Sequence, residues 1–324
     1  MDKVCQYRFR DGTLCNGLLD VNSKDCFWHN PSAIKTGPEI KCLIEQTFKE
    51  RKQLEGFQLE RADLNDVDLV QANLHNANLK RANLSNAHLY GSDLSNANLF
   101  KATLDKANLK ESNLENANLI GTNFGEANME RIRLGQKNLV INEFEGNLLA
   151  KMGDQEEALK KYSEAEGIYR RIKNNFKNRG LSYEAGQYHY REMVVARKQS
   201  PLYSLDRLYS LAWDLTTAYG ESPHRIFVFS AAYICIFSIL YSIIGVKEIV
   251  KGDIYQFSSG NSAIENLNAF GHALYYSMAT FTTVGCNDLT MVGIGKAFAM
   301  MEAYSGPFLT ALFVITVYKR FMER

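Results

Sequence analysis

Cysteine, excess charge of either sign and a secretion signal are scarce or absent in this sequence, and each absence excludes a class of protein. Six cysteines in 324 residues are too few for a disulfide-stapled scaffold. With 37 basic and 36 acidic residues, no strong field directs the chain toward nucleic acid. No apolar core follows the first methionine, so we expect no cleaved signal peptide and a cytosolic N-terminal part.

Motifs of an enzyme, of a nucleotide-binding domain and of a voltage sensor are also missing. No Gly-rich strand-to-helix motif indicates a nucleotide-binding fold, and no arginine ladder on an apolar helix indicates a voltage sensor. His75, His88 and His189 are isolated, so we predict no catalytic residue and no enzymatic activity. The length favours two or three domains. The mean hydropathy of −0.26 suits a soluble part with a small membrane part attached.

Residues 1–30 contain four potential metal ligands, namely Cys5, Cys15, Cys26 and His29. Three thiolates and one imidazole complete a tetrahedral zinc site and leave no position for a catalytic water. So short a segment cannot bury a core unaided. We therefore predict a small zinc knuckle with one structural zinc ion. The alternative is that the four residues are scattered along an unstructured start.

Residues 31–53 are predicted to be a linker followed by a capping helix. Pro31 to Pro38 contains Ser, Thr and Gly and is typical of a linker. Residues 39–53 are compatible with a short helix that caps the next segment of the chain. The apolar side of that helix would consist of Ile40, Leu43, Ile44 and Phe48.

A period of five residues runs from Leu54 to Leu139 and defines a predicted domain over residues 54–142. Leucine, or Phe124 or Met129 in its place, recurs at every fifth position, and the residue two before it is small along most of the run. Neither the helical period of 3.6 nor the strand period of 2 fits, and a strict short period is typical of a solenoid. The exceptions at the small position are Phe57, Val67 and Ile132.

The five-residue pattern resembles the pentapeptide-repeat family, A(D/N)Lxx, most clearly at Asn73-Leu74, Asn78-Leu79 and Asn83-Leu84. The resemblance implies a right-handed quadrilateral β-helix with four repeats per coil and the leucines stacked inside. Between Glu60 and Lys137 there are ten acidic and nine basic residues, which disfavours mimicry of DNA. We interpret the region as a binding or spacer rod whose asparagines serve turns rather than a ligand.

Residues 143–200 are predicted to form an antiparallel helical hairpin that resembles tetratricopeptide helices. Asp154 is suited to cap the first helix and Gly180 to end it, and a second helix runs from Ser182 to about Lys198. The stripe on the first helix either helps to assemble subunits or packs on the neighbouring helix. Its residues alternate in spacing between four and three: Ala158, Tyr162, Ala165, Tyr169, Ile172 and Phe176.

Residues 223–324 have the order of elements from which an ion pore is built. An uncharged apolar run from Ile226 to Gly245 is long enough to cross a bilayer as a helix. A second apolar run extends from Ala297 to Tyr318. Between them lies a non-helical loop, and such backbone is tolerated at membrane depth only where it lines a wet cavity or is buried in protein.

Residues 273–289 align without a gap with an archetypal bacterial potassium-channel pore, ALWWSVETATTVGYGDL, so this domain resembles the two-span potassium-channel family. The resemblance implies a homotetramer in the lipid bilayer that conducts potassium or sodium ions. It also implies a re-entrant pore helix near Asn268–Phe281, whose C-terminal end favours a cation. The implied selectivity filter consists of Thr282, Thr283, Val284, Gly285, Cys286, Asn287 and Asp288.

Three residues depart from the family's filter pattern. Cys286 stands where the family has tyrosine, and we expect it to be too short to engage Tyr275 and Tyr276, the aromatic residues that support the filter, in the way that a tyrosine does. Asn287 replaces the second glycine at a position expected to need φ > 0, where asparagine is the least costly substitute. Ala279 replaces an acidic residue of the archetype. We therefore predict weaker discrimination of potassium over sodium than in TVGYG channels.

Two features of the second span are candidates for function. Glu302 is an intramembrane carboxylate, expected either to hydrogen-bond behind the filter or to reach the outer headgroups. Gly306-Pro307 is expected to bend the helix, because proline removes one backbone bond. In family terms this pair resembles a gating hinge, and the alternative is simple packing relief.

Charge and amphipathicity at the ends of the spans predict the topology. Residues 201–222 resemble an interfacial slide helix, with Trp213 and tyrosines suited to a headgroup belt. His224 and Arg225 open the first span, and Lys319, Arg320 and Arg324 close the second. The positive-inside rule then places both termini in the cytoplasm, with an outside turret over Val246 to Asn266.

The sequence thus predicts a multidomain membrane protein, a tetrameric cation channel with a cytosolic repeat rod that senses or binds an unknown protein or ligand. One alternative is a membrane-anchored repeat scaffold or binding protein with a non-conducting pore. A further alternative, a zinc-dependent regulator of nucleic acid, is disfavoured by the balanced charge, so no nucleic-acid partner is expected.

Overall fold

The computed structural model describes residues 4–21, 23–51 and 53–322, in two compact units, Met1–Arg207 and Leu208–Arg324. Arg324, expected to help close the second span, lies outside the described residues. The side chain of Arg320 is likewise not described. The finer division of the chain into six segments stays a prediction.

The first unit starts with a short finger, residues 4–30. Three antiparallel bridges hold it together, Val4 with Leu18, Arg8 with Leu14 and Leu19 with Cys26. Its small core consists of the buried thiols of Cys5, Cys15 and Cys26. Helix α1 follows over Glu39–Arg51, as the apolar spacing predicts.

Parallel bridges then connect residues twenty positions apart, from Gln53 with Asn73 through Asn113 with Arg133. Four five-residue repeats therefore complete one coil, and the fifth-position leucines lie inside with no exposed surface along most of the run. Many Asn side chains accept a hydrogen bond from the backbone two residues on, for example Asn73 Oδ1 from His75 N at 3.0 Å. The asparagines thus serve the turns, as expected.

Three helices follow the coils, α2 (Ile141–Met152), α3 (Gln155–Asn178) and α4 (Ser182–Gln199). The predicted hairpin is therefore incomplete, because α2 also packs on α3. Asp154 Oδ1 caps α3 by accepting from Glu157 N at 3.2 Å. The apolar stripe of α3 is buried in the same core as the repeat leucines, so it packs within its own chain.

Polar side chains also hold these helices to the last coil and to each other. Asn175 Nδ2 donates to the carbonyls of Phe124, Gly125 and Ala127 at 2.8–3.2 Å, which joins α3 to the last coil. Buried Glu192 of α4 accepts from Lys173 Nζ at 2.7 Å and from Arg170 Nε at 2.9 Å. Burial alone would raise the pKa of Glu192, but the hydrogen bonds from Lys173 and Arg170, with His189 3.8 Å away, outweigh it and lower the pKa to about 2.

The second unit begins within helix α5 (Leu205–Thr217) and contains two long apolar helices. These are α6 (Pro223–Ile244) and α8 (Gly295–Met322), both long and apolar enough to cross a membrane. Helix α7 (Ala263–Phe281) lies between them in sequence. A capping box of Ser262 and Glu265 starts α7, five residues before the predicted start at Asn268.

A small antiparallel sheet includes two short strands from the predicted turret. Strands β1 (Val246–Glu248), β2 (Ile254–Tyr255) and β3 (Leu289–Met291) lie in the order β2-β1-β3. Val246 pairs with both Tyr255 and Met291. No sequence pattern indicates this sheet, because strands of two or three residues are too short to show alternation.

Helix α5 exposes its leucines and buries two of its polar residues. Leu205 is 83% exposed and Leu215 is 68% exposed, whereas Asp214 and Thr217 are buried. Asp214 accepts from Arg225 Nη1 at 3.0 Å, so α5 is anchored to the start of α6. Its role as an interfacial helix stays a prediction.

Candidate ion pore and metal-binding cluster

The Thr-Val-Gly loop leaves the C-terminal end of α7 as a series of backbone turns. Thr282 N donates to Met278 O at 3.0 Å and Thr283 N to Thr280 O at 3.0 Å. Gly285 N donates to Ala279 O at 3.1 Å. The loop residues 282–288 are exposed except half-buried Cys286, and Val284 retains 81% of its accessible surface.

Backbone angles in the loop differ from the expectation for Asn287. Positive φ occurs at Thr283 (+58°) and Gly285 (+77°), and Asn287 does not adopt it. The chain enters β3 two residues after Asn287. The Asp288 carbonyl accepts from Ile249 N at 2.8 Å, so the start of the sheet, rather than a filter turn, constrains the backbone next to Asn287.

Cys286 shares a packing environment with one of the two aromatic residues. Cys286 and Tyr276 both pack against the buried cluster around Tyr241, and the rings of Tyr276 and Tyr241 meet edge to face at 5.5 Å. The expectation that Cys286 cannot engage Tyr275 and Tyr276 as a tyrosine would stays a prediction.

Glu302 is fully buried and joins three helices. Its Oε2 accepts from Tyr241 Oη of α6 at 2.7 Å, and its Oε1 accepts from Ser277 Oγ of α7 at 2.5 Å. The same Ser277 hydroxyl lies 3.2 Å from the carbonyl of Ile234 in α6. Of the two expectations for Glu302, hydrogen bonding within the protein describes this geometry, and the headgroup alternative does not.

Gly306 lies where the end of α7 comes close to the backbone of α8. A Cβ placed on Gly306 would lie 1.9 Å from the carbonyl oxygen of Phe281. Helix α8 continues through the adjacent Pro307. Only glycine permits this approach, so Gly306 has a packing role whether or not the pair also acts as a hinge.

A cavity of about 490 Å³ opens beside the start of the loop. Phe281, Thr282 and Thr283 form one wall, and α8 forms the other. Its α8 residues are mostly apolar: Pro307, Thr310, Ala311, Val314 and Ile315. Such a wall offers an ion no strong ligand, so ion coordination would fall to the loop above it.

The four predicted metal ligands of the first unit converge. One ligand atom from each of Cys5, Cys15, Cys26 and His29 lies within 4.8 Å of the others, and all four residues are buried. The sulfurs of Cys15 and Cys26 are 3.9 Å apart. Zinc–sulfur bonds of about 2.3 Å at tetrahedral angles would put two sulfurs about 3.8 Å apart.

His29 is oriented toward the thiols by a bond to the first repeat. Its Nε2 lies 2.9 Å from the carbonyl oxygen of Glu55, so Nε2 carries the proton and donates. Nδ1 then presents its lone pair to Cys26 Sγ at 3.3 Å and to Cys5 Sγ at 3.5 Å. Burial lowers the pKa of His29 and raises the pKa of Cys26 to about 12. A bound divalent cation would instead lower the pKa of the Cys26 thiol.

Sequence reasoning missed the partners of these residues. Tyr241 and Ser277 carry no motif, because they meet Glu302 only in the fold. Glu55 acts on His29 through its backbone carbonyl, which no sequence pattern records. One sequence signal was present, because Phe57 breaks the pattern of small residues in the repeat. Its ring stacks on that of Trp28, next to the metal-ligand cluster, with the ring centroids 5.0 Å apart.

Comparisons with known proteins match separate families to the first and the second unit. A family model described as ion channel matches residues 231–323, and one described as pentapeptide repeats matches residues 58–96 and 97–136 with eight copies. A solved pentapeptide repeat protein from Nostoc Pcc 7120 is 33% identical over 29% of this chain and 85% of its own, with a TM-score of 0.26. Another, from the Arabidopsis thaliana thylakoid lumen, is 30% identical over 36% and 83%, with a TM-score of 0.23. No curated protein matches the chain.

The second unit therefore carries a two-span, potassium-channel-like ion-channel domain. The same polypeptide carries pentapeptide repeats before it, so the protein is a fusion of the two and a membrane protein. Neither matched family describes an enzyme.

Proposed function

We propose that this chain forms a homotetrameric cation channel whose filter is the loop Thr282–Asp288. The observation that carries the proposal is the exposure of this loop at the C-terminal end of α7, between two helices long and apolar enough to cross a membrane. Helix α7 is in turn bonded to Glu302 of α8 through Ser277. An exposed valine within the membrane needs neighbouring protein to cover it, and a single chain supplies only one wall of an ion path. A closed ring of four copies would cover the valine and complete the path.

The ion would meet backbone carbonyls and the partial negative charge of the α7 C-terminus. Both favour a cation and replace its hydration shell. Asp288 would add a ring of negative charge at the mouth. Because Cys286 and Asn287 replace a tyrosine and a glycine, we propose a filter that admits sodium more readily than a TVGYG filter does. The apolar α8 wall around Thr310 and Val314 would line the inner cavity.

The ends of the two spans support a cytoplasmic location for both termini. Lys319 at the end of α8 pairs with Glu221, which precedes α6. Arg225 in the first turn of α6 pairs with Asp214. Basic residues thus cluster at one shared end of the spans, which the positive-inside rule assigns to the cytoplasm. Pore helix α7 would then be re-entrant from the outside.

The pentapeptide coils would form a right-handed quadrilateral β-helix in the cytosol, acting as a sensor or scaffold for an unidentified protein or ligand. The twenty-residue bridge spacing supports this geometry. The thiol and imidazole cluster of the finger would hold one structural zinc ion. Its buried Cys3His donor set, sulfur spacing and oriented His29 support zinc.

Thallium flux into liposomes that contain the purified chain tests the channel proposal. We expect flux from the native protein and its loss in Gly285→Ala, because alanine is strained at φ +77° in the filter. Gly293→Ala is the matched control, since Gly293 also has positive φ (+52°) and open space at its Cβ but lies outside the loop. Absence of flux from a tetrameric native protein would favour the scaffold alternative, and equal loss in both variants would remove the filter assignment.

A further inference from the structure

The first coil of a parallel solenoid has an open edge. Inside the solenoid, each coil is paired with the coil before it; for example, Asn78 N donates to Phe57 O at 2.8 Å and Asn83 N to Ala62 O at 2.9 Å. The first coil has no preceding coil, and an uncovered edge invites pairing with other chains. Something else must accept its backbone hydrogen bonds.

The finger takes the place of the missing coil. Gln58 N donates to the carbonyl of Trp28 at 2.8 Å, in the same role that Phe57 O plays for Asn78. Helix α1 covers a second position, where Glu45 Oε1 accepts from Asp68 N at 3.0 Å. The ladder of the solenoid therefore continues into the finger and α1.

Side chains of the finger also match irregularities in the first repeats. Phe57 occupies a position where most repeats have a small residue, and it is buried against the Trp28 ring, nearly parallel at 5.0 Å. The Tyr7 ring lies over Gly56, where a Cβ would come within 2.2 Å of it. Gly56 and Phe57 are thus shaped for the finger rather than for the next coil.

His29 joins the metal ligands to this junction. Its Nε2 donates to Glu55 O in the first repeat, while its Nδ1 faces the three thiols. Trp28, whose carbonyl and ring meet the first coil, is adjacent to His29 in the chain and two residues from Cys26. A metal bond at Nδ1 and the hydrogen bond at Nε2 therefore constrain one ring from both sides.

We propose that zinc bound at Cys5, Cys15, Cys26 and His29 closes the N-terminal edge of the solenoid, so that metal binding and the pairing of the first coil are one coupled equilibrium. The inference rests on the proposed zinc site. In the described part of the finger, the buried cluster consists of the three cysteine ligands, and Tyr7, Phe9, Leu19 and Trp28 pack on it only partly buried. Small domains whose core is built around metal ligands lose their fold with their metal. Without zinc, Trp28 O and Glu55 O lose their fixed positions, and the first coil opens while later coils stay paired.

Hydrogen exchange on the full-length protein in detergent, with bound zinc measured in the same samples, tests this coupling. Cys26→Ser removes a ligand, and Cys42→Ser is the matched control, because Cys42 is an exposed cysteine outside the cluster. We expect about one zinc per chain in the native protein and the control. On chelation or in Cys26→Ser, peptides covering residues 53–62 should exchange at least tenfold faster, and those covering residues 108–128 should not change.

A second variant separates the covering of the first coil by the finger from the binding of zinc. Phe57→Ala restores the common small residue and removes the stack on Trp28 while leaving every ligand in place. It should retain zinc and show faster exchange at residues 53–62. If the native protein binds zinc but chelation leaves exchange at residues 53–62 unchanged, the metal site stands and its coupling to the first coil is overturned. If the native protein binds no zinc, both the metal site and the coupling are overturned. Neither result bears on thallium flux, which tests the channel separately.

Discussion

Replacing Glu302 by alanine should loosen the packing of α7 between α6 and α8. The change removes the acceptor for two interhelical hydrogen bonds, from Tyr241 at 2.7 Å and from Ser277. Interhelical hydrogen bonds in membranes are worth about 0.6 kcal/mol each on average and about 1.7 at most. The two bonds together give ~1–3 kcal/mol per chain, or about 5–14 kcal/mol over four chains acting together.

Glu302→Gln should be far milder, for a reason visible at Ser277. A hydroxyl has one proton, and Ser277 Oγ lies 3.2 Å from Ile234 O as well as near Glu302. Ser277 can therefore donate to Ile234 and accept from the glutamine amide. The glutamine carbonyl remains as the acceptor for Tyr241.

The assay is thermal dissociation of the detergent-solubilised tetramer together with the potassium-to-sodium permeability ratio. Glu302→Ala should lower the dissociation temperature and the permeability ratio, whereas Glu302→Gln should leave both close to native. The loss of thermal stability in the double variant Ser277→Ala with Glu302→Ala should be smaller than the sum of the two single losses. A Glu302→Ala protein with native thermal stability and native selectivity would refute the role of Glu302 behind the filter.

Three further changes test other contacts. Gly306→Ala puts a Cβ 1.9 Å from Phe281 O, so it should destabilise the tetramer by about 1–3 kcal/mol in thermal dissociation; native stability would show that α7 and α8 are not this close. Cys286→Tyr with Asn287→Gly restores the family filter and should shift the bi-ionic reversal potential toward that of a potassium electrode, whereas no shift would remove these residues from selectivity. Glu192→Gln tests acid stability of the first unit: because the pKa of Glu192 is lowered to about 2, its contribution is complete above about pH 4.5 and is lost as pH falls toward 2. The native protein should therefore lose up to about 3 kcal/mol more than the variant on acidification, and parallel pH profiles would contradict this.

The repeat and the ligand set could be foreseen because each has its own sequence signal. A strict period of five predicts that residues twenty apart meet, and Gln53 does bridge Asn73. The stripe of α3 and its Asp154 cap follow helical spacing and capping chemistry. The close spacing of Cys26 and His29 pointed to shared ligation, and the fold brings them together.

Other features had no signal of their own. Helix α2 buries Asn142, Glu143 and Gly146, which do not form an apolar stripe, so its existence could not be read from periodicity. Asn287 does not adopt positive φ, and its neighbour Asp288 bonds to Ile249, just after β1, which is 39 positions away in sequence. The Glu302 contacts join residues 25 and 61 positions apart, which only the packed helices determine.

Planar-bilayer recording with ion substitution tests the channel most directly. If four copies of the Thr282–Asp288 loop enclose an ion path, the purified protein should give unitary cation currents, with a bi-ionic potassium–sodium reversal potential well short of a strict potassium electrode. A tetramer that stays silent, or that passes anions, would contradict the account.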